Sequence, residues 1–250
     1  MTDSDSSRPL ADRVILITGA GGGIGASVAR AIAAAGAECV LVGRRERTLT
    51  PVFDAIVADG SPEPALFPLD VTKAGEDDYQ RLVDGIAADC GGLHGVVHLA
   101  ARFDGLMPLA THAIDGWQRI MHINLTAAFA LTQVCLPLLQ AAEDASVVFT
   151  VDEAAAQPKA FWGAYGVSKA GLAALVRLFA VEHEQNPRLR FNAIDPGPRD
   201  TGLRSAAFPA DDPAARPVDE LGAHYVKLLS GASRGTTGRI FGVDGTSTAA

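Results

Sequence analysis

A tyrosine and a lysine stand four residues apart in a stretch with a helical pattern, at Tyr165 and Lys169. Residues at this spacing lie on one face of a helix, so the phenol and the ammonium are neighbours. A phenol works as a general acid or base only when its pKa, about 10 when unperturbed, is brought towards the working pH. A nearby ammonium does this by favouring the tyrosinate. The same spacing is also common in ordinary amphipathic helices, so the pair needs support from other motifs.

A glycine cluster follows the first apolar run of the chain and opens a helical pattern. Glycine lets the backbone turn tightly and approach an anion, and a helix N-terminus offers free N–H groups and a favourable dipole. Glycines also collect in purely structural turns, but the strand–loop–helix context favours the pyrophosphate of a dinucleotide. The predicted contacts are Thr18, Gly19, Gly21, Gly22, Gly23, Ile24 and Gly25.

The second predicted strand ends at Arg44 and Arg45. Enzymes that use NAD usually place an acidic residue here to bind the ribose hydroxyls, whereas arginine suits a 2′-phosphate through charge-assisted hydrogen bonds. NADP(H) is therefore the preferred cofactor, with NAD(H) also possible. Asp70, after the third strand, is a candidate acceptor for the adenine amino group, although an Asp at a strand end also caps helices.

Apolar runs of strand length alternate with helical patterns through the whole chain. Strands that are apolar on both faces and separated by helices predict a parallel sheet covered on both sides. The fold class is α/β, with about seven strands in a single doubly wound sheet of the Rossmann type. One long helix is predicted from Ile114 to Gln140, ended or bent near Pro137.

No linker divides the chain, so residues 11–250 are predicted to form a single domain after a polar, disordered lead-in at residues 1–10. The loop from Pro196 to Pro217 is predicted to be a lid or binding loop, with a plain surface excursion as the alternative. In a doubly wound sheet, ligands bind at the carboxyl ends of the strands, and the motifs above follow strands.

The 250 residues carry a net charge of −8, which argues against a nucleic-acid surface. The polar N-terminus has no signal-peptide or membrane-span pattern, and the three cysteines read as buried free thiols. These features predict a cytoplasmic protein without a membrane partner. The six histidines lie at no ligand-like spacing, so no metal is expected. The helices with Asn124 and Tyr165 are apolar on more than one side, which predicts a homodimer or homotetramer.

Taken together, these motifs resemble the classical short-chain dehydrogenase/reductase family from about Arg13 to Gly245. The matching residues are Gly19, Gly23 and Gly25 of its glycine motif, Asp70 and Val71 of its adenine-contacting pair, Asn124 of its proton-relay helix, Tyr165 and Lys169 of its active site, and Pro196, Gly197 and Thr201 of its nicotinamide segment.

The resemblance implies an NADP(H)-dependent oxidoreductase that interconverts a carbonyl and a secondary alcohol. Lys169 would bind the nicotinamide ribose and lower the pKa of Tyr165. Tyr165 would protonate a carbonyl oxygen or deprotonate an alcohol, and Asn124 would support the water that resupplies the proton. The cofactor carries the hydride chemistry, and the protein supplies orientation and charge.

The chain departs from the family after the fourth strand, where its Asn-Ala-Gly motif is replaced by His98, Leu99, Ala100 and Ala101. Alanine in place of the glycine requires a negative φ at that position. Loss of the asparagine removes a polar side chain between the central strands, which is mainly a structural change. Ala100 is still expected to contact the cofactor.

The second departure is Asp152, thirteen residues before Tyr165, where the family has its catalytic serine. At about 5 Å and an effective dielectric of about 20, an ionised Asp152 would repel a tyrosinate or alkoxide by roughly 3 kcal/mol. Asp152 could stay protonated and donate a hydrogen bond, or bind a cationic or polyhydroxy substrate. Alternatively, the chain is a nucleotide-binding regulatory or scaffold protein with little activity. A shifted alignment would bring Thr150 nearer the substrate instead.

Overall fold

The structure is a computed structural model that describes residues 8–210 and 214–250. These residues form an eight-stranded sheet in the order β3-β2-β1-β4-β5-β6-β7-β8. The strands are β1 Val14–Thr18, β2 Glu38–Gly43, β3 Ala65–Pro68, β4 Gly95–His98, β5 Ala145–Thr150, β6 Leu189–Asp195, β7 Arg239–Gly242 and β8 Ser247–Ala249. The α-helices are α1 Gly23–Ala34, α2 Glu46–Ala58, α3 Glu76–Asp89, α4 Ile114–Met121, α5 Ala127–Ala141, α6 Gly163–Glu182, α7 Gly202–Ala207 and α8 Gly222–Leu229.

The sheet has a core on each face, which explains why its central strands are apolar throughout. One core packs side chains of α3, α5 and α6 against the sheet, and the other packs α1, α2 and α8. The first seven strands are parallel. The strand order reverses between β1 and β4, and a doubly wound sheet binds its ligand at such a point. The predicted α/β class is confirmed.

Three local predictions differ from the structure. An eighth strand turns back at Gly245 and pairs antiparallel with β7; its exposed residues lack the apolar pattern of a buried strand. The predicted long helix contains a π-helical turn at His122–Thr126, and it ends at Ala141, one turn beyond Pro137. The last helical stretch begins as a 3₁₀ turn at Val218–Leu221 before α8.

The predicted lead-in at residues 1–10 is too long. Residues 1–7 lie outside the described residues, and Leu10 is fully buried with its N–H bonded to the Ala35 carbonyl at 2.9 Å. Its apolar side chain belongs to the core that α1 covers, so the chain joins the fold by this residue.

The Pro196–Pro217 segment contains α7, and its residues 211–213 lie outside the described residues. The buried Arg199 side chain donates to the carbonyls of Pro196 and Pro217 at 2.7 and 2.8 Å and pairs with Glu220 at 2.9 Å. One arginine therefore fastens both ends of the segment above the carboxyl ends of the strands.

At the opposite edge of the sheet, Asp144 holds three arginines. It pairs with Arg13 at 2.9 Å, with the fully buried Arg190, and with Arg234 at 3.5 Å. Because Arg13 precedes β1, Asp144 precedes β5 and Arg190 lies in β6, this cluster ties together the amino ends of the central strands. It lies far from the predicted site in the fold.

Two helical stretches, Ile114–Ala141 and Gly163–Glu182, have the length and composition of a membrane span. About half of each is buried inside the fold, 44% and 50%. They pack against the sheet and against each other, as the core helices of a globular domain do, and core helices satisfy the same length and composition test.

Candidate active site

The glycine loop between β1 and α1 forms a cradle that only small residues can form. Gly19 has a φ of +69°, and a Cβ there would lie 2.8 Å from the Ala100 nitrogen. A Cβ on Gly25 would lie 2.0 Å from the Gly19 carbonyl oxygen. Among the described residues no side chain caps the start of α1 at Gly22, and Gly22, Gly23 and Ile24 line the cleft. This arrangement suits an anion.

Thr18 joins the end of β1 to the loop after β4. Its hydroxyl accepts from the N–H groups of Leu99 and Ala100 at 3.1 and 3.3 Å. Ala101 has no positive φ, as the substitution requires.

At this departure from the family motif, His98 makes a polar contact between β4 and α5. It bonds Thr132 at 2.8 Å and stacks on Phe149, and burial lowers its pKa to about 3, so the ring is neutral. The imidazole therefore serves packing in the interior.

Two adjoining cavities occupy the cleft and share Gly19 and Gly22. The first, called the inner cavity, has a volume of about 330 Å³, and the second, called the outer cavity, has a volume of about 520 Å³. The predicted cofactor residues in the first are Gly19, Gly22, Gly23, Ile24, Gly25, Pro196, Gly197 and Thr201. Those in the second are Thr18, Gly21, Arg44, Arg45, Asp70, Val71 and Ala100. The structure thus brings every predicted cofactor contact into one continuous groove.

The outer cavity carries positive charge at its rim. Arg44 and Arg45 are exposed there and lie beyond the carboxyl end of β2. Asp70 accepts from the N–H and hydroxyl of Thr72 at 3.1 and 2.7 Å. Burial acts to raise the pKa of Asp70, but these bonds and the charges of Arg44 and Lys73 outweigh it and leave the pKa below its ordinary value. Asp70 is therefore ionised and already part of a local turn.

Tyr165 and Asp152 are in direct contact in the inner cavity. The phenol is almost fully buried at 4% exposure and donates to Asp152 Oδ2 at 3.2 Å. The other oxygen, Oδ1, accepts from the Ala154 N–H at 2.9 Å, so the carboxylate caps the short turn after β5. Asp152 therefore contacts the phenol directly, and its place as the family's serine stays a prediction.

The surroundings of Tyr165 favour the neutral phenol. Burial raises the pKa of Tyr165 well above its ordinary value, and the negative charges of Asp152 and Asp195 raise it further, while Arg204 acts in the opposite direction. Burial is the largest of these causes, and the lowering of this pKa by Lys169 that the family resemblance implies stays a prediction.

Lys169 lies fully inside the protein, one helical turn after Tyr165. Its Nζ donates to the Thr150 carbonyl at 2.7 Å and lies 5.6 Å from the centre of the Tyr165 ring. Burial lowers the pKa of Lys169 to about 8, although Asp152 and Asp195 act in the opposite direction. The ammonium is thus anchored to the end of β5, beside the phenol rather than bonded to its oxygen.

Asn124 lies in the π-helical turn, and its side chain is fully engaged. Its Oδ1 accepts from the Arg102 N–H at 2.7 Å, and its Nδ2 donates to the Arg102 carbonyl and to Ser168 Oγ, each at 3.0 Å. Asn124 therefore joins the loop after β4 to the helix that carries Tyr165.

Thr150 does not replace the missing serine. Its hydroxyl bonds the buried Tyr225 hydroxyl at 2.8 Å, on the face of the sheet that α8 covers. The side chain is 7% exposed and committed to the interior, which leaves Asp152 as the residue predicted at the serine position.

The sequence reasoning missed Asp195, which ends β6 next to the end of β5. Its Oδ1 accepts from the Gly197 N–H at 2.9 Å. The pKa of Asp195 lies above its ordinary value. Burial is the largest cause and the charge of Asp152 adds to it, whereas the Gly197 bond acts in the opposite direction. Its position at the carboxyl end of a central strand, directly before Pro196, was the available signal.

An aromatic group that the sequence did not single out lies beside the phenol. Phe103 stacks on Trp162 with ring centres 5.2 Å apart and meets Tyr165 edge-on at 5.3 Å. Phe208, from the end of α7, lies 6.4 Å from Trp162. These residues come from three loops that are distant in sequence, so no local pattern reveals them. No group of three or more metal-ligating side chains occurs among the described residues.

Comparison with known proteins gives the family. The model of the short chain dehydrogenase family matches residues 13–212. The oxidoreductase YciK of Escherichia coli K12 is 37% identical over 234 residues, 93% of this chain and 92% of its own length. A short chain dehydrogenase from Shigella flexneri, solved with NADP, has a TM-score of 0.91 and 35% identity over 96% of this chain and all of its own.

Another short chain dehydrogenase, from Escherichia coli CFT073 and solved with NADPH, has a TM-score of 0.90 and 37% identity. The match covers 95% of this chain and 99% of that one. This chain belongs to the short chain dehydrogenase family. Its sheet, glycine cradle and buried Tyr165–Lys169 pair are those of a dinucleotide-dependent oxidoreductase fold.

Proposed function

We propose that the protein is an NADP(H)-dependent oxidoreductase that interconverts a small carbonyl compound and a secondary alcohol. The observation that carries this proposal is the continuous groove, which has an anion cradle at its middle, two exposed arginines at one end and the Tyr165–Lys169 pair at the other. Two related structures with NADP and NADPH support the choice of cofactor.

The residues present fit this cofactor. The cradle at Gly19 and Gly25 leaves no room for side chains, and the uncapped start of α1 would bind the pyrophosphate. Arg44 and Arg45 would hold the 2′-phosphate. Pro196, Gly197 and Thr201 would lie beside the nicotinamide, which supplies or accepts the hydride when bound. Ile24 and Ala100 would contact the two halves of the cofactor, and Asp70 and Val71 would contact its adenine.

The proton chemistry belongs to the protein. Tyr165 would donate its proton to the carbonyl oxygen in reduction, or take one from the alcohol in oxidation. Lys169 would bind the nicotinamide ribose, and its positive charge would favour the tyrosinate form of Tyr165. Asn124 would position the helix of Tyr165 and support the water that returns the proton. The charge of Asp152 opposes formation of a tyrosinate, so the reaction needs the phenol to start protonated.

An assay of NADPH oxidation across ketones, aldehydes and quinones tests the proposal, with Asp152→Ser measured in parallel. Turnover of at least one carbonyl compound by the wild type is the expected result. Turnover by Asp152→Ser alone would rule out the active enzyme, because Asp152 would then be what prevents catalysis.

The alternative is a nucleotide-binding regulatory or scaffold protein of the same fold. The bond between the phenol and Asp152 favours it, since that bond occupies the catalytic hydroxyl. NADPH binding without turnover by either protein would favour this second function. Retention of Asn124, Tyr165 and Lys169 as buried residues favours the enzyme instead.

We also propose a homodimer or homotetramer in the cytoplasm. The outer faces of α5 and α6 expose Phe129, Leu178 and Val181, the last two at 58% and 66%. Their side chains lie on the surface of long helices whose other faces contact the sheet. A second copy of the chain would cover them.

A further inference from the structure

Two carboxylates lie at the catalytic end of the groove, after neighbouring strands. The Val151 N–H donates to the Ile194 carbonyl at 2.9 Å, so β5 and β6 stay paired up to the positions of Asp152 and Asp195. Asp152 lines the inner cavity together with Tyr165 and Lys169. Asp195 ends the neighbouring strand β6 and interacts electrostatically with Asp152, Tyr165 and Lys169.

The geometry of the proposed reaction brings these charges close to the nicotinamide. The Tyr165 oxygen must touch the substrate oxygen, and the substrate carbon must touch the reacting carbon of the ring. Asp152 Oδ2 lies 3.2 Å from the same phenol oxygen. The carboxylate is therefore only a few bond lengths from the ring, inside a cavity where charges interact more strongly than in water.

The two states of the nicotinamide differ in charge at this place. The oxidised ring is a cation and the reduced ring is neutral, whereas the phosphates at the other end are the same in both. A fixed negative charge near the ring therefore stabilises one state of the cofactor relative to the other. The family resemblance implies an uncharged serine at the position of Asp152. The negative charge there is therefore a feature of this chain.

Other charges in the region do not remove the effect. Lys169 is the ammonium that the family shares, and Arg204 of α7 is the last of the charges that act on Tyr165, after those of Asp152 and Asp195. Glu153 is exposed and paired with Lys159 at 2.6 Å, so solvent and its partner screen it.

We infer that Asp152, assisted by Asp195, makes this site bind NADP⁺ in preference to NADPH, which favours hydride transfer to the carbonyl between the bound reactants. The inference rests on the proposed function for the position of the ring. In reduction, a hydride leaves the neutral ring for the carbonyl carbon, the oxygen takes the Tyr165 proton, and the ring is left as the cation that the carboxylates stabilise. A proton from solvent then restores the phenol.

The hydrogen bond between Tyr165 and Asp152 acts in the same direction. It holds the phenol in the protonated form that reduction consumes, and the raised pKa of Tyr165 agrees with this. Each tenfold preference for the oxidised form lowers the reduction potential of the bound two-electron couple by about 30 mV. Bound NADPH is then a stronger hydride donor than free NADPH.

Calorimetric titration of NADP⁺ and NADPH tests the inference without any substrate. The ratio of the two Kd values is compared among the wild type, Asp152→Asn, Asp195→Asn and the control Glu153→Gln. We expect the wild type to prefer NADP⁺ and Asp152→Asn to lose about tenfold of that preference. Asp195→Asn should lose a smaller part, and Glu153→Gln should leave the ratio unchanged.

The outcomes separate this inference from the proposed function. If both forms bind and Asp152→Asn leaves their ratio unchanged, the inference is overturned and the cofactor assignment stands. An equal change in Glu153→Gln would also overturn it, because the effect would then be that of net charge. If the wild type binds neither form, both fail. Should a variant misfold, the wild-type ratio decides alone: a preference for NADPH contradicts the inference.

Discussion

The Tyr165 hydroxyl donates to Asp152 Oδ2 across 3.2 Å, which joins the proposed general acid to the residue predicted to stand in place of the family's serine. The carboxylate therefore adds to the effect of burial, which favours the protonated phenol. A carbonyl substrate must take this hydrogen bond away from Asp152 before it can receive the proton.

Neutralising Asp152 should move the alkaline limit of the reductase reaction to lower pH. Reduction needs the protonated phenol, and Asp152 raises the pKa of Tyr165. Asp152→Asn removes that effect and also removes a charge that raises the pKa of Lys169, so both groups lose their protons at lower pH. The pH profile of kcat/KM for carbonyl reduction measures the limit, with Glu153→Gln as control. An unshifted limit would show that Asp152 is uncharged in the active enzyme.

Removing the two arginines after β2 should weaken NADPH binding selectively. Arg44→Ala combined with Arg45→Ala is expected to cost roughly 10- to 100-fold in affinity for NADPH, because charge-assisted bonds to the 2′-phosphate are lost. Affinity for NADH should stay the same. Arg47→Ala is the control, since Arg47 is equally exposed but does not line the groove. An equal loss for both cofactors would contradict the assigned contact.

Much of this site follows from the sequence because its parts are local motifs. The glycine cradle depends on short-range turn geometry, and Tyr165 and Lys169 depend on helical spacing, so the sequence indicates them once these motifs are taken together. Asp195 and the Phe103–Trp162 stack depend on contacts between distant loops, which no local pattern encodes. The π-helical turn around Asn124 was missed for a related reason: its residues have ordinary helical preferences, and its place in the fold is set by bonds to Arg102 and Ser168.

The fold should depend strongly on Asp144. Asp144→Asn leaves the buried guanidinium of Arg190 and the mostly buried Arg13 without their counter-charge, at an expected cost of about 3–5 kcal/mol in the free energy of unfolding. The exposed pair Arg30–Asp59 provides the control, since Asp59→Asn should cost about 1 kcal/mol or less. Urea denaturation measures both. Equal effects would show that the cluster adds nothing beyond an ordinary surface pair.

The same cluster gives a pH dependence with a definite sign. Burial acts to raise the pKa of Asp144, but the hydrogen bonds and charges of Arg190 and Arg13 outweigh it and leave the pKa below its ordinary value. The stabilisation is therefore complete above the unfolded pKa of about 3.9 and is lost as the pH falls through the folded value. Wild-type stability should fall more steeply in acid than that of Asp144→Asn. Parallel curves would contradict this assignment.

Charges on the outer face of α6 should break the proposed oligomer. Leu178→Glu with Val181→Glu would place two carboxylates in the predicted interface, and light scattering after gel filtration should then report a smaller species. Val57→Glu is the control, because Val57 is an exposed apolar residue on α2, away from this face. A wild-type monomer, or an oligomer that the double variant leaves intact, would show that this face is not the interface.

The central claim is that the buried Tyr165 hydroxyl transfers the proton. Its most direct test is kcat/KM for NADPH-dependent reduction of the best carbonyl substrate by Tyr165→Phe, with the Kd for NADPH measured alongside. Tyr79→Phe is the matched control, since that buried hydroxyl has no hydrogen-bond partner within residues 8–210 and 214–250. We predict a loss of about 10²- to 10⁴-fold for Tyr165→Phe with cofactor affinity retained, and no loss for Tyr79→Phe. Full activity in Tyr165→Phe would contradict the account.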